Sequence, residues 1–453
     1  MKFNSNKTKR LVTTSILAVT AGLFFAAEAN AGAFYLQEQS VKANGRAWSG
    51  EVSEAGIEQA WWNPASIGGI SGTEAFMGAT LIAPTAKVNN INTRIIRPTL
   101  LVGTTVIPTT NLPVGGVQSH NNPVEQGVLP TGGIAKKLND KVAIGLLLSS
   151  PFSMTSDYDP TSWTRYSADE TYLRTFDIQP MVALNPVANL SLGLGLNVEY
   201  VEATLSNYIP SALPTGTDGH QELRGDGWNV GYSLGAQYHN EKFDLGLSYK
   251  SAVKHKLDGS VTIAGLTDPI AVAYGLNKTV DGAKATFSTP WQINVGGRYH
   301  ATDKLTVNLQ YTRFGWSEFD TIELTNMGST GNQSLPFGYK DSTAVGVGLD
   351  YKFNDKLTLR GGLQSDSSPI ADGHRDPRVP DSDRITVAAG ATYQLKDNLS
   401  INTALSLTSF DKVNIDKKTA AYAGTPLQTV ITTSGVLDNA KAVTFGVSAR
   451  MTF

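Results

Sequence analysis

Between Leu190 and Tyr200 every second residue is large and apolar. Leu190, Leu192, Leu194, Leu196, Val198 and Tyr200 alternate with Ser191, Gly193, Gly195, Asn197 and Glu199. The same period runs through Leu305, Val307, Leu309 and Tyr311. It returns at the chain's end, where Val443, Phe445, Val447, Ala449, Met451 and Phe453 alternate with small or polar residues. A period of two gives a strand with one greasy and one wet face. A tilted strand needs roughly 9–11 residues to cross a bilayer, and these runs approach or reach that length. Taken alone, such a strand also fits the edge of a soluble sandwich.

The punctuation between the runs separates the two readings. Short polar turns recur at Asn139–Lys141, Pro186–Asn189, His239–Lys242, Thr302–Lys304, Asn354–Lys356 and Lys396–Asn398. Asn and Asp suit them because their side chains bond the local backbone and tolerate left-handed geometry. Their spacing leaves room for two membrane-length strands and one long connection. Six turns on one side imply about seven strand pairs, hence about 14 strands with long loops on the other side. Tyr200, Tyr249, Tyr311, Tyr351 and Tyr393 fall at strand ends, where aromatic girdles belong. A soluble sandwich has no reason to segregate loops by length. The expected fold is all-β, a transmembrane antiparallel β-barrel of about 14 strands.

The N-terminus sets the compartment. Lys2, Lys7, Lys9 and Arg10 precede an uncharged run from Leu11 to Ala27, then Ala29-Asn30-Ala31. That is a signal peptide over residues 1–31, with the mature chain starting at Gly32. The alternative, an uncleaved anchor, fits a longer apolar run without a cleavage site. With no Cys, disulfides and thiolate metal sites are excluded. Charge is sparse (17%) and mean hydropathy near zero (-0.15), as expected where lipid-facing and lumen-facing residues alternate and cancel. No basic stripe suggests nucleic acid. The six His are scattered without metal-ligand spacing, and no Ser/His or Asp/His set is legible on neighbouring strands. Neither an enzyme, a metal nor a cofactor is expected.

Residues 32–72 lack alternation but carry Trp48, Trp61 and Trp62 among many small residues. An empty barrel of this size would hold a water-filled lumen. The segment is therefore expected to fold into the bore as a plug, or hatch, below a barrel spanning residues 73–453. The alternative is a solvated periplasmic tail. In the third strand, from about Lys141 to Ser150, Pro151 removes a ladder hydrogen bond, so a break is expected there, unless Pro151 only starts the outer loop. Two outer loops carry candidate capture surfaces: Tyr208, Ile209 and Leu213 in the third, and Ile270, Val272, Tyr274 and Leu276 in the fourth. The same residues also suit a cover packed over the barrel mouth. Pro269 suits the start of a short helix. The first loop, with Ile91, Ile95, Ile96, Leu100, Leu101 and Val102, is unusually apolar and has no assigned role.

These residues resemble a known family. Asn44-Gly45-Arg46-Ala47-Trp48-Ser49-Gly50 and Trp62-Asn63-Pro64-Ala65 look like the start of the FadL/TodX family of outer-membrane transporters for long-chain fatty acids and hydrocarbons. The likeness continues through Pro151–Tyr158, Trp163, Arg165-Tyr166, Thr289-Pro290-Trp291, Phe314–Phe319, Ser368-Pro369-Ile370, Val379-Pro380-Asp381 and Arg384. A terminal Phe also resembles the signal read by outer-membrane assembly machinery. The resemblance implies passive, cofactor-free import by a monomer lodged among outer-membrane lipid and lipopolysaccharide. Substrate is caught by apolar outer loops and passes to an internal pocket. It then leaves sideways at a kinked third strand. By that resemblance Asn63, Pro64 and Ala65 would lie at the lateral opening with Ser149, Ser150, Pro151 and Phe152. If the substrate is a fatty acid, its carboxylate calls for a cation, and Arg165, Arg174, Arg360 and Arg384 are candidates; each also suits a structural ion pair. A diffusion porin or a receptor/adhesin barrel, without an apolar pocket, is the alternative.

Overall fold

The computed structural model describes residues 33–102, 104–328 and 331–453. The expected signal peptide lies outside the described residues. Among them, fourteen antiparallel strands close into a barrel. In chain order these are β1 (Thr73–Asn90), β2 (Gly127–Asn139), β3 (Val142–Ser149, resuming as Ser153–Asp157), β4 (Glu170–Val187) and β5 (Leu190–Ile209). Then come β6 (Gly219–His239), β7 (Phe243–Lys250, resuming as Val253–Ala264), β8 (Lys278–Thr289, resuming as Trp291–His300) and β9 (Leu305–Gly315). The last are β10 (Ser342–Lys352), β11 (Leu357–Asp366), β12 (Arg384–Lys396), β13 (Leu399–Phe410) and β14 (Thr429–Thr452).

Each strand pairs with its sequence neighbour, and β1 pairs with β14 through Ala75↔Met451 and Leu81↔Phe445, which leaves no open edge. The six turns expected from the sequence each join two strands, at the end where β1 begins and β14 stops. The alternation has its physical cause in the surroundings. Leu192, Leu194 and Leu196 are exposed on the outer wall, while Ser191, Gly193, Gly195 and Asn197 face the filled bore. On β6, Trp228 and Tyr238 both face outward, ten positions apart. That is roughly 33 Å of strand, or about 25 Å of height once tilted, the depth of an outer-membrane apolar band. Tyr351 and Tyr393 lie at the turn end, and Tyr200 packs beside Trp228 with ring centroids 5.2 Å apart.

Residues 33–72 fill the bore. Nearly every one is buried. Their local structure is a single helical turn, α1 (Val41–Asn44), capped by Ser40, and short 3-10 turns at Glu51–Ser53, Ile57–Gln59 and Pro64–Gly69. Six inward glycines of the wall (Gly193, Gly235, Gly246, Gly346, Gly362 and Gly390) lie against this hatch. A Cβ at any of them would collide with it, mostly with its backbone.

At the other end the loops close over the mouth. Part of the first loop, Arg94–Arg97, pairs with β14 at Ile95↔Ile431 and so extends the wall upward. Ile95 is buried with Val88, Trp163, Tyr158 and Leu437 in an apolar cap. This gives the apolar first loop a place.

Candidate transport site

The break in β3 is a bulge with a hole beside it. Ser149 pairs with Asp177 and Ser153 with Arg174, so four steps on β3 oppose three on β4. Pro151, which has no N–H, sits at the extra residue. On the β4 side the bulge is held by Thr175: the Ser150 hydroxyl donates to the Thr175 carbonyl (2.6 Å), and the Phe152 amide donates to Thr175 Oγ1 (2.9 Å). Toward β2, the ladder stops at Leu148↔Gly132 and resumes only at an isolated bridge, Ser156 to Val124.

The hatch fills that hole. The Leu36 amide donates to the Pro151 carbonyl (2.8 Å), and the Ser153 amide donates to the Phe34 carbonyl (3.0 Å). Gln39 Nε2 donates to the Ser150 carbonyl (2.9 Å). Leu36 packs between Ile82 and Leu129 of β1 and β2. The first described residues thus serve as a short substitute strand.

Asn63, Pro64 and Ala65 occupy a different wall. Asn63 Nδ2 donates to the carbonyls of Val52 (2.7 Å) and Ala236 (3.1 Å), and its side-chain oxygen caps Ala65. The turn rests on Gly193 and Gly235, on β5 and β6. Ser149, Ser150, Pro151 and Phe152 are therefore brought together with Phe34–Gln39, and Asn63–Ala65 with β5 and β6.

Above the break lies an apolar chamber with about 790 Å³ of empty space, part of it open to solvent. Leu173, Leu223, Leu257 and Phe287 line its walls, with Phe319 and Phe337 of the fifth loop. Phe34 and Met154 line it too, so the chamber borders the hatch segment and the upper part of β3. Phe34 sits edge-on to Trp316 (5.0 Å) and Phe319 (5.1 Å). Its almost wholly apolar lining suits a hydrocarbon.

The capture candidates divide. Val272 and Tyr274 are 60% and 73% exposed on a short helix, Pro269–Ala273, whose Asp268 cap accepts from the Ala271 amide. Ile209 and Leu276 instead pack against Ile263, Leu266 and Ala271, and Tyr208 joins the apolar cap. Ile270 and Leu213 are half-buried.

The four arginines do not converge on the chamber. Arg384 is paired with Asp366 and with Asp381 (2.8 Å), and Arg360 with Asp350 (2.7 Å). Arg165 donates to the carbonyls of Gly115 (3.0 Å) and Ser162 (2.9 Å). Arg174 alternates with the inward Leu173 and Thr175, and its guanidinium lies 5.7 Å from the Tyr172 ring on the outer face. Three cations that are not candidates from the sequence do line the chamber: Lys284, paired with Asp258 (2.6 Å), Arg224, paired with Glu222 (2.8 Å), and the buried Arg378. Arg378 donates to the Ser167 carbonyl and to Thr171 Oγ1, and burial pushes its guanidinium below its usual value against the pull of Asp376. Only the neighbouring Val379-Pro380-Asp381 block hinted at it.

An ion cluster pins the hatch. Arg46, fully buried, pairs with Glu51 (2.6 Å), Glu54 and Asp350 (2.9 Å). Lys42 (2.8 Å) and Arg298 (2.8 Å) also reach Glu54. Burial alone would raise the Glu54 carboxyl, but Arg298, Arg46 and Lys42 outweigh it and hold it well below the usual range.

A closed fourteen-stranded barrel with a lipid-facing apolar belt, a filled bore and an internal greasy chamber defines an outer-membrane transport protein. The family described as outer membrane protein transport protein (OMPP1/FadL/TodX) matches residues 22–453, and the chain belongs to it. It is 26% identical over 469 residues to outer membrane protein P1 of Haemophilus influenzae, covering 96% of this chain and 98% of that one. It is 24% identical over 450 residues to the long-chain fatty acid transport protein of Escherichia coli (strain K12), covering 90% and 94%. Among solved structures, a Pseudomonas aeruginosa FadL homologue superposes with a TM-score of 0.81 at 24% identity, over 93% of this chain and 100% of that one. The Pseudomonas putida toluene transporter TodX superposes with a TM-score of 0.62 at 16% identity, over 94% and 99%. The family consists of transport proteins, not enzymes.

Proposed function

We propose that this chain imports long-chain fatty acids or similarly hydrophobic molecules passively, as a monomer. The cargo lands on Val272 and Tyr274, collects in the chamber and leaves sideways through the hole beside the β3 bulge. The observation that carries this reading is shared lining: Phe34 and Met154 belong both to the chamber and to the segments that bound the hole. Hydrocarbon gains about 0.8 kcal/mol per CH₂ on leaving water. An exit into the periplasm is therefore unfavourable, and an exit through the wall delivers the cargo where it is already stable. The protein need only shelter it past the lipopolysaccharide leaflet. Asn63–Ala65 serves this opening from the far side, by anchoring the hatch floor to β5 and β6.

Filling the chamber tests the reading. Ala203→Phe with Leu223→Trp should lower oleate binding by the purified protein at least tenfold and slow uptake by cells, while the barrel keeps its heat-modifiable migration. Unchanged binding would overturn the assignment of the chamber.

A further inference from the structure

Below the chamber the inward faces of β4, β5 and β7 change character. Leu173 is followed on its face by Thr175 and Asp177, Ala203 by Val201 and Glu199, and Leu257 by His255. Lys250 closes the lower segment of β7. These titratable groups form one buried set. His255 Nε2 lies 3.1 Å from Glu199 Oε1, and its ring packs 5.1 Å from the chamber's Phe287. Asn197 Nδ2 donates to Asp177 Oδ2 (2.6 Å).

Much of their bonding capacity is unused. Lys250 Nζ, Asp177 Oδ1, His255 Nδ1, Asn197 Oδ1 and Asn229 Nδ2 are buried without a hydrogen-bond partner. The Lys250 ammonium lies instead over the face of the hatch residue Trp61, 2.8 Å from the ring centroid. Native interiors rarely leave several polar atoms orphaned together, so such a cluster marks a place meant for a polar visitor. Arg378, Arg384 and Arg360 already spend donors on protein acceptors, whereas the ammonium of Lys250 spends none on a hydrogen bond.

We infer that this polar floor is a head-group subsite, and that Lys250 receives the carboxylate of an amphiphile whose chain occupies the chamber. The inference rests on the proposed transport reading and narrows it to anionic amphiphiles. Asp177 and Glu199 face Lys250 without pairing to it, so a visiting anion is held by one cation against two wall carboxylates and is released readily. Asp177 also pairs with Ser149, the last residue before the β3 bulge, which places the head group beside the exit.

The test compares oleate with oleyl alcohol, which share a chain and differ in charge, by calorimetry on the full protein in detergent. Lys250→Met should weaken oleate roughly tenfold or more and leave oleyl alcohol unchanged. Lys250→Arg should retain oleate, and Asp177→Asn, which removes a facing carboxylate, should tighten it. Equal loss of both ligands in Lys250→Met, or no loss of either, overturns the subsite while the chamber reading stands. If the unaltered protein binds neither ligand, the chamber reading fails and the subsite falls with it.

Discussion

Glu38 sits where the hatch meets the break, between Gln37, which donates to Asp366 (3.1 Å), and Gln39, which holds the Ser150 carbonyl. Its Oε2 has no partner, and burial pushes its carboxyl up to about 7 against backbone donors and Arg384. A carboxyl raised on folding favours the proton. Its contribution to holding this segment is complete below the ordinary carboxylate range and is lost as pH rises through about 7. Hydrogen exchange at the Leu36 amide, corrected for intrinsic rate, should therefore show higher protection at pH 6 than at pH 8. Glu38→Gln should erase the difference; a pH-dependent Leu36 in that variant would put the titration elsewhere. Residue-level chemistry of this kind was the least legible part of the sequence. Arg165, Arg360 and Arg384 could be nominated from type alone, but their acceptors, such as Asp350 across β10–β11 for Arg360 and Asp366 across β11–β12 for Arg384, are fixed only by the strand register. Arg378 is marked only by the Val379-Pro380-Asp381 block that follows it.

At the scale of elements, β3 was readable and its partner was not. Pro151 announces itself because a proline removes a ladder hydrogen bond, although the type alone does not decide, since Pro84, Pro130 and Pro180 lie within β1, β2 and β4 without a break. The substitute strand, Phe34–Leu36, is too short to show a period and takes its conformation from the hole it fills. A signal for the hatch did exist: Gly193, Gly246, Gly346 and Gly390 fall at lumen-facing positions, where a side chain would meet the hatch. Reading them as close-approach sites would have mapped the contact before the fold was known. The contact of Leu36 with Leu129 offers a direct test of the exit, helped by a chain without Cys. Leu36→Cys with Leu129→Cys, joined by a short bifunctional thiol reagent, should stop oleate uptake and leave oleate binding intact. Joined protein that still delivers oleate would place the exit somewhere other than between β2 and β3.

At the scale of the molecule, the turns and alternation carried the barrel because both are repeated many times, and errors at one strand do not spread to the count. The hatch is a different kind of object. It has little regular structure of its own and is held by wall glycines and by the Arg46 cluster. Arg46 joins Glu51 and Glu54 of the hatch to Asp350 of β10. Breaking a buried pair by removing one partner costs about 3–5 kcal/mol, because the remaining charges stay buried and unmatched. Arg46→Met should therefore loosen the hatch without opening the wall, since β1 begins at Thr73 and closes on β14 independently of it. In planar bilayers the intact protein should be nearly silent, Arg46→Met should flicker, and removal of residues 33–72 should give a steady ion current. The order matters more than the absolute values. A silent deletion would mean that the cap around Trp163 and Ile95 seals the bore by itself, leaving the hatch to serve only the side exit. A conducting intact protein would mean that the bore is open to ions, and the case for sideways delivery would lose its physical basis.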